Sequence, residues 1–271
     1  MHRTILVGTT ADEAGRDALA LGVELARPLG AAVVLGGVVT DPGSRAAEEL
    51  QRRLDALRDS GPHDVPLSVE TIESGSILRG LHDLALRLGA EALALGPSHR
   101  GMLRRALQGD LTADALFTAP CAVAVAARGQ SVHVPQRIGV AWDGSAESGE
   151  ALEWAVQLAE RVGGRLRILR IAEPGDAEGA PDVGLAEELE AVRAAAERRA
   201  PAEATLVWGD PASKLHEAEH DLDLLVMGSR GRSPQQRTML GSVSADVLHH
   251  ALCSVVVLPR GVVVPVDAAA V

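Results

Sequence analysis

The sequence predicts an α/β protein built as two tandem, doubly wound five-stranded parallel sheets, related as a pseudo-dimer. Three observations carry this. Short apolar runs alternate with apolar-periodic stretches of helical length, which argues a parallel sheet with helices on both faces. The pattern is written twice: Gly75, Gly96, Gly109 and Cys121 recur as Gly209, Gly228, Gly241 and Cys253, at offsets of 134, 132, 132 and 132 residues. Each copy takes up about 130 residues, enough for one five-stranded layer.

The elements follow in matched pairs. Strands at 3–8 and 137–141 open the copies. Helices at 12–29 and 145–162 come next, each ending at glycine (Gly30; Gly163-Gly164). Strands at 31–39 and 165–172 lead through variable linkers to charged helices at 45–60 and 183–200. Strands at 67–73 and 202–208 precede helices at 77–88 and 211–220, then strands at 91–95 and 222–227. Gly109 and Gly241 open the last helices, and Cys121 and Cys253 open the last strands. This sets domain one at 1–128 and domain two at 137–260, joined by a short polar linker, R-G-Q-S-V-H-V-P-Q at 128–136. The tail at 261–271 has no counterpart in copy one.

Composition narrows the function. Of 271 residues, 46% are hydrophobic, and with one Phe, no Tyr and three Trp the core falls to Ala, Leu and Val. Residues 1–130 hold 13 basic and 16 acidic side chains, and residues 131–271 hold 13 and 21. Neither half is basic, which argues against a nucleic-acid partner. No apolar run reaches the roughly 18 residues of a membrane helix. The first residues run straight into a strand without a signal-peptide apolar region, so a cytoplasmic protein is expected. Cys121 and Cys253 read as small core residues rather than a disulfide or redox pair. Lys214 is the only lysine and no glycine precedes it, which excludes the G-x-x-x-x-G-K phosphate loop.

The chemistry concentrates between Val226 and Asp246. An apolar strand ends at Met227. Gly228 and Gly231 follow, and after nine intervening residues Gly241-Ser242 opens a helix that also carries Ser244. Strand, glycine loop and helix N-terminus together suit an anion, because the helix end offers unpaired N–H donors and partial positive charge. The second loop of interest follows Val140: Ala141, Trp142, Asp143, Gly144, Ser145. Here Ser145 suits a helix N-cap, and a carboxylate such as Asp143 can accept hydroxyl protons.

The spacing G-x-x-G-x9-G-S, at Gly228, Gly231, Gly241 and Ser242, resembles the ATP-binding signature of the universal stress protein family, and D-G-S at 143–145 resembles a second motif of that family. The resemblance implies strand order 3-2-1-4-5, with the loops after Val140 and Met227 meeting where the order reverses. It implies ATP as ligand, with or without Mg2+, and an adenine-nucleotide-binding, stress-linked regulator. Asp143 would hold the ribose, and Gly228 and Gly231 would let the loop close. Arg230 and Arg232 would lie near the phosphates, which Gly241, Ser242 and Ser244 would bind. Ala141, Met227 and Val243 would line the adenine side, with Ile171 reaching the base. A homodimer and an unidentified protein partner are further partners the family suggests. Since relatives commonly dimerise through the last strand, two domains on one chain could make that dimer internally.

Copy one departs from the motif. Thr10 stands for Asp143, Ala11 for Gly144 and Asp12 for Ser145. Gly96-Pro97-Ser98-His99 replaces Gly228-Ser229-Arg230-Gly231, and Gly109-Asp110 replaces Gly241-Ser242. A carboxylate set about 4 Å from a phosphate charge costs roughly 4 kcal/mol at an effective dielectric near 20. Copy one is expected not to bind ATP.

A competing signal is His216-Glu217-Ala218-Glu219-His220, which matches the zinc-hydrolase pattern H-E-x-x-H. Copy one keeps His82 but has Leu86 where His220 stands. No third ligand is marked, although His249 or His250 could reach, and the stretch reads as a charged helix end with no metal. Slow ATP hydrolysis and, more remotely, a zinc hydrolase through His216, Glu217 and His220 are the alternatives to a nucleotide-sensing switch. No catalytic residue is assigned.

Overall fold

The computed structural model describes residues 3–97, 119–129, 133–172, 183–229, 241–262 and 264. Strands β1 (Thr4–Gly8), β2 (Ala32–Val39), β3 (Leu67–Glu73), β4 (Ala92–Leu95) and β5 (Ala122–Val125) belong to the first half, with helices α1 (Glu13–Leu29), α2 (Arg45–Asp59) and α3 (Ile77–Leu88). The second half holds β6 (Arg137–Ala141), β7 (Arg165–Ala172), β8 (Ala202–Trp208), β9 (Leu224–Gly228) and β10 (Ser254–Leu258), with α4 (Ala146–Val162), α5 (Val183–Glu197), α6 (Pro211–Glu219) and α7 (Ser242–His250). Helices α1, α4 and α6 start where short polar side chains cap them. Asp12 accepts from Gly15 N–H, Ser145 from Ser148 N–H and Asp210 from Ser213 N–H. Helices α1 and α4 stop at Gly30 and Gly163, both left-handed, as their positions foretold.

The expected order 3-2-1-4-5 holds within each half, but the two sheets are not separate. They form one ten-stranded sheet ordered β3-β2-β1-β4-β5-β10-β9-β6-β7-β8. Every neighbouring pair is parallel except β5 and β10, which run antiparallel. Their register sets Val123 opposite Val257, Ala124 opposite Val256 and Val125 opposite Val255. Residue 124 thus faces its own repeat counterpart, and a pseudo-twofold axis passes between them. The cause is physical: A-V-A-V and S-V-V-V-L are apolar on both faces, and either would be an unpaired edge in an isolated half. Ser254 Oγ adds one asymmetric tie, accepting the N–H of Ala127 at 3.1 Å.

Two apolar layers sandwich the sheet. Helices α1, α2, α4 and α5 cover one face, with Leu25, Leu54, Ala155 and Leu189 buried there. Helices α3, α6 and α7 cover the other, with Leu81, Leu84, Leu215 and Val247. Burying each such leucine stabilises the fold by about 1.5–3 kcal/mol. Cys121 and Cys253 are free and buried, and burial pushes the Cys121 thiol up to about 12, so both serve as core residues. The start of the tail is docked: Val264 is buried and its N–H donates to Glu150 Oε2 at 3.0 Å. Among the described residues no helix is long and apolar enough to cross a membrane.

Candidate nucleotide site and the comparisons

Strand β6 lies between β7 and β9, and Ala141 pairs with Met227 at the carboxyl ends of β6 and β9. From there the chain leaves in opposite directions, since α4 covers one face and α7 the other. The loop after Ala141 and the loop after Gly228 therefore open side by side at a topological switch point, the position where α/β sheets take ligands.

Four residues read as the adenine wall fall together. Met227 is buried in the apolar layer under α6 and α7, and Ala141, Ile171 and Val243 pack against the same layer while staying partly exposed. Asp143 is half-buried. Its Oδ1 accepts from Ser145 N–H at 2.9 Å, and its own carbonyl accepts from Arg170 Nη1 at 3.1 Å. Gly144 takes φ 79°, which lets the turn reach the N-cap Ser145.

The glycine loop is clasped at its ends. Ser229 N–H donates to Leu258 O, and Gly241 N–H donates to Ser229 O at 2.8 Å. Gly241 is the N-cap of α7 and supplies no side chain, so among the described residues the first N–H groups of that helix have no side-chain cap; Ser242 is exposed beside them. Ser244 is buried, and its hydroxyl donates to Gly228 O at 3.1 Å. That bond ties the first turn of α7 to the end of β9. Arg230, Gly231 and Arg232 lie outside the described residues.

Gly228 has a packing reason of its own. A Cβ there would stand 2.9 Å from Glu147 Cβ and 3.0 Å from Glu147 C, so its bareness seats the first turn of α4 on the strand end. Gly96 does the same in the first half, where a Cβ would come 2.2 Å from Ala14 O.

Two residues escaped the sequence reading. Ser229 is fully buried, and among the described residues its Oγ has no hydrogen-bond partner. Its counterpart is Pro97, a contrast between the copies that could have flagged it. Arg170 is buried on β7, unlike Arg165 and Arg167 of the same strand, and fixes the carbonyl of Asp143. Its counterpart across the 133-residue offset of β2 and β7 is Gly37.

The first half is built differently at the same place. Ala11 keeps the left-handed turn with φ 57°, Asp12 caps α1, and Thr10 Oγ1 donates to Asp12. A cleft of about 290 Å3 there is lined by Asp12, Glu13, Ala14, Asp17, Pro97 and Arg128, with three carboxylates against one guanidinium. His99, Arg100, Arg104, Arg105, Gly109 and Asp110 lie outside the described residues.

The H-E-x-x-H stretch does not assemble as its pattern suggests. Glu217 is exposed and paired with Lys214 at 2.7 Å, and His220 is the C-cap of α6. His216 turns to Glu219 and to Asp246 of α7.

Comparison with known proteins supports the resemblance. Universal stress protein Rv2005c of Mycobacterium tuberculosis is 34% identical over 185 residues, 62% of this chain and 61% of its own length, so the match spans about three fifths of that relative. Universal stress protein Rv2319c of the same organism is 26% identical over 294 residues, covering 94% of this chain and 99% of its own. A crystal structure of a universal stress protein from Archaeoglobus fulgidus superposes with a TM-score of 0.66 at 17% identity, over 95% of this chain and 98% of that one, a likeness of fold. The model of the universal stress protein family matches twice, over residues 1–127 and 135–259, and the chain belongs to that family.

Proposed function

We propose that the carboxy-terminal half, residues 137–260, binds an adenine nucleotide, ATP with or without Mg2+, and that occupancy regulates a stress-linked protein partner in the cytoplasm. The first half, residues 1–128, is a degenerate copy that does not bind it. One observation carries the reading: the Asp143 loop and the uncapped N-terminus of α7 open together at the switch point, beside a shared apolar wall of Ala141, Ile171, Met227 and Val243. Asp143 accepts from the ribose. The N–H groups of Ser242 and Val243 and the Ser242 hydroxyl meet the phosphates. Ser244 holds the helix end to Gly228, and Arg170 holds the Asp143 loop. Arg230, Gly231 and Arg232 complete the loop over the nucleotide. With β5 and β10 paired inside the chain, a homodimer would use a different surface.

Calorimetric titration of ATP into the intact chain, with Mg2+ and with chelator, tests this. One site per chain, lost in Asp143→Ala, is expected. Two sites would end the asymmetry, and no binding would end the nucleotide reading. Release of γ-phosphate that disappears in Gly241→Val would favour a slow ATPase over a pure sensor.

A further inference from the structure

We propose that His216, Asp246 and His250 form a binding site for a borderline divalent transition-metal ion of the zinc class, bridging α6 to α7. One ligand atom from each residue lies within 4.8 Å of the other two. His216 Nε2 stands 3.3 Å from Asp246 Oδ2, and His250 Nδ1 stands 3.4 Å from Asp246 Oδ1 and 3.1 Å from the Asp246 backbone carbonyl, a contact it exchanges for the metal. The two imidazoles meet edge to face, with ring centroids 5.8 Å apart, on either side of one carboxylate. Ligand atoms around one tetrahedral zinc are about 3.4 Å apart, given bond lengths near 2.0–2.1 Å. The His216–Asp246 edge is already there. His250 has a side chain 65% exposed, so a small ring movement closes the third corner without disturbing the core.

A second observation points the same way. The other nitrogen of His216, Nδ1, lies 3.4 Å from Oε2 of Glu219. Glu219 is buried, and the N–H of Leu252 donates to the same oxygen at 2.9 Å. A buried carboxylate behind an imidazole fixes its tautomer with Nδ1 protonated, leaving Nε2 as the ligand and raising its basicity. Burial holds the Glu219 carboxyl above its ordinary range, with the Leu252 N–H and His216 opposing the rise. The carboxylate behind His216 also offsets a metal charge that Asp246 alone would leave uncompensated.

The chemistry of the set chooses the metal. Two imidazoles and one carboxylate suit zinc, nickel or copper(II), whereas magnesium and calcium require oxygen ligands. Three protein ligands leave a fourth position for water. The set is not the one the H-E-x-x-H pattern names, since only His216 is shared. In the first half His82 stands for His216, but Ala85 replaces Glu219 and Thr118 replaces His250 in the sequence, so one ion per chain is expected.

The test is a titration of Zn2+ into the full, tag-free chain, followed by calorimetry and by the melting temperature, with Co2+ as a visible-absorption probe. One ion per chain is expected, with a rise in melting temperature. Either Asp246→Asn or His250→Ala should weaken binding at least tenfold, and both positions are exposed enough for the variants to fold. Glu219→Gln should weaken it about 10–100-fold while keeping the stoichiometry. His220→Ala and His249→Ala should leave affinity unchanged, and Mg2+ should not compete. Absence of zinc binding, equal affinity in Asp246→Asn and His250→Ala, or loss of binding in His220→Ala would each overturn the proposal.

Discussion

The two halves share a backbone and differ in what occupies one corner of it. Both put a strand, a left-handed turn and a side-chain-capped helix in the same order, Gly8 to Asp12 in one and Ala141 to Ser145 in the other. Both keep the first glycine of the loop, Gly96 and Gly228, and in both a Cβ would strike the opening turn of the next helix. The first half has kept that glycine and Gly109, and has replaced Gly231 with His99 and Ser242 with Asp110. The difference separates two kinds of glycine inside one motif. Gly96 and Gly228 answer to helix packing, whereas the proposed phosphate contacts turn on what accompanies the other two glycines, His99 against Gly231 and Gly109-Asp110 against Gly241-Ser242 in the sequence.

The largest test of that contrast is Gly241→Val. A branched side chain at the N-cap of α7 covers the donors offered there, and ATP affinity should fall more than a hundredfold, about 3 kcal/mol. The equivalent change at Gly109 should leave ATP binding to the chain as it was. Equal losses from both would mean that both halves bind. Close behind comes Gly96→Ala. Its new methyl would lie 2.2 Å from a backbone oxygen, so α1 must shift, at a cost of about 3 kcal/mol in denaturant unfolding. Gly228→Ala meets a side-chain carbon at 2.9 Å and should cost less. If Gly228→Ala removed ATP binding with stability intact, the glycine would belong to the ligand after all.

The next contrast lies on the first helices. Glu24 of α1 and Gln157 of α4 occupy equivalent buried positions. Burial raises the Glu24 carboxyl from its ordinary 4.5 to about 7, with Asp223 adding to the rise and His133 and Arg27 opposing it. The folded state then keeps a proton that the unfolded chain gives up between those values. Stability is highest below pH 4.5 as far as this group is concerned, falls as pH rises toward 7, and stays reduced above it. Glu24→Gln, which copies the sister helix, should remove that slope and stabilise the chain at pH 8 by on the order of 2 kcal/mol. It should change little at pH 4. A flat difference between variant and parent across this range would show that Glu24 is not held protonated.

These contrasts also show what the sequence could and could not say. The elements were legible because each depends on neighbours along the chain: the caps at Asp12 and Ser145, the glycine stops at Gly30 and Gly163, and the apolar runs between them. The repeat made the first-half substitutions visible position by position. The joining of the two sheets was only foreshadowed, because it depends on β5 and β10 having both faces buried, which no local pattern requires. Arg170 was missed because the sequence does not tell which of the three arginines of β7 turns its guanidinium inward. The grouping of His216 with Asp246 and His250 was hidden for a similar reason. It is made by two helices packing, and 30 residues separate His216 from Asp246.

The smallest effect concerns the turn before the first helix, where Ala11 has φ 57° and Gly144 has φ 79°. A left-handed alanine costs about 1–2 kcal/mol relative to glycine. Replacing it with glycine loosens the unfolded chain, which gives back about 0.4–1 kcal/mol. Ala11 also packs its methyl against the apolar layer under α1, a contact worth up to about 0.8 kcal/mol, whereas Gly144 is exposed. The three terms nearly cancel at Ala11, so Ala11→Gly should be within about 0.5 kcal/mol of neutral. At Gly144 no buried methyl offsets the strain, and Gly144→Ala should destabilise by about 0.5–1 kcal/mol. The prediction is therefore a near-neutral change at one turn and a measurable loss at its counterpart, read from paired denaturant melts. A Gly144→Ala variant as stable as its parent would mean that the turn relaxes, and that the first half holds its alanine at no cost.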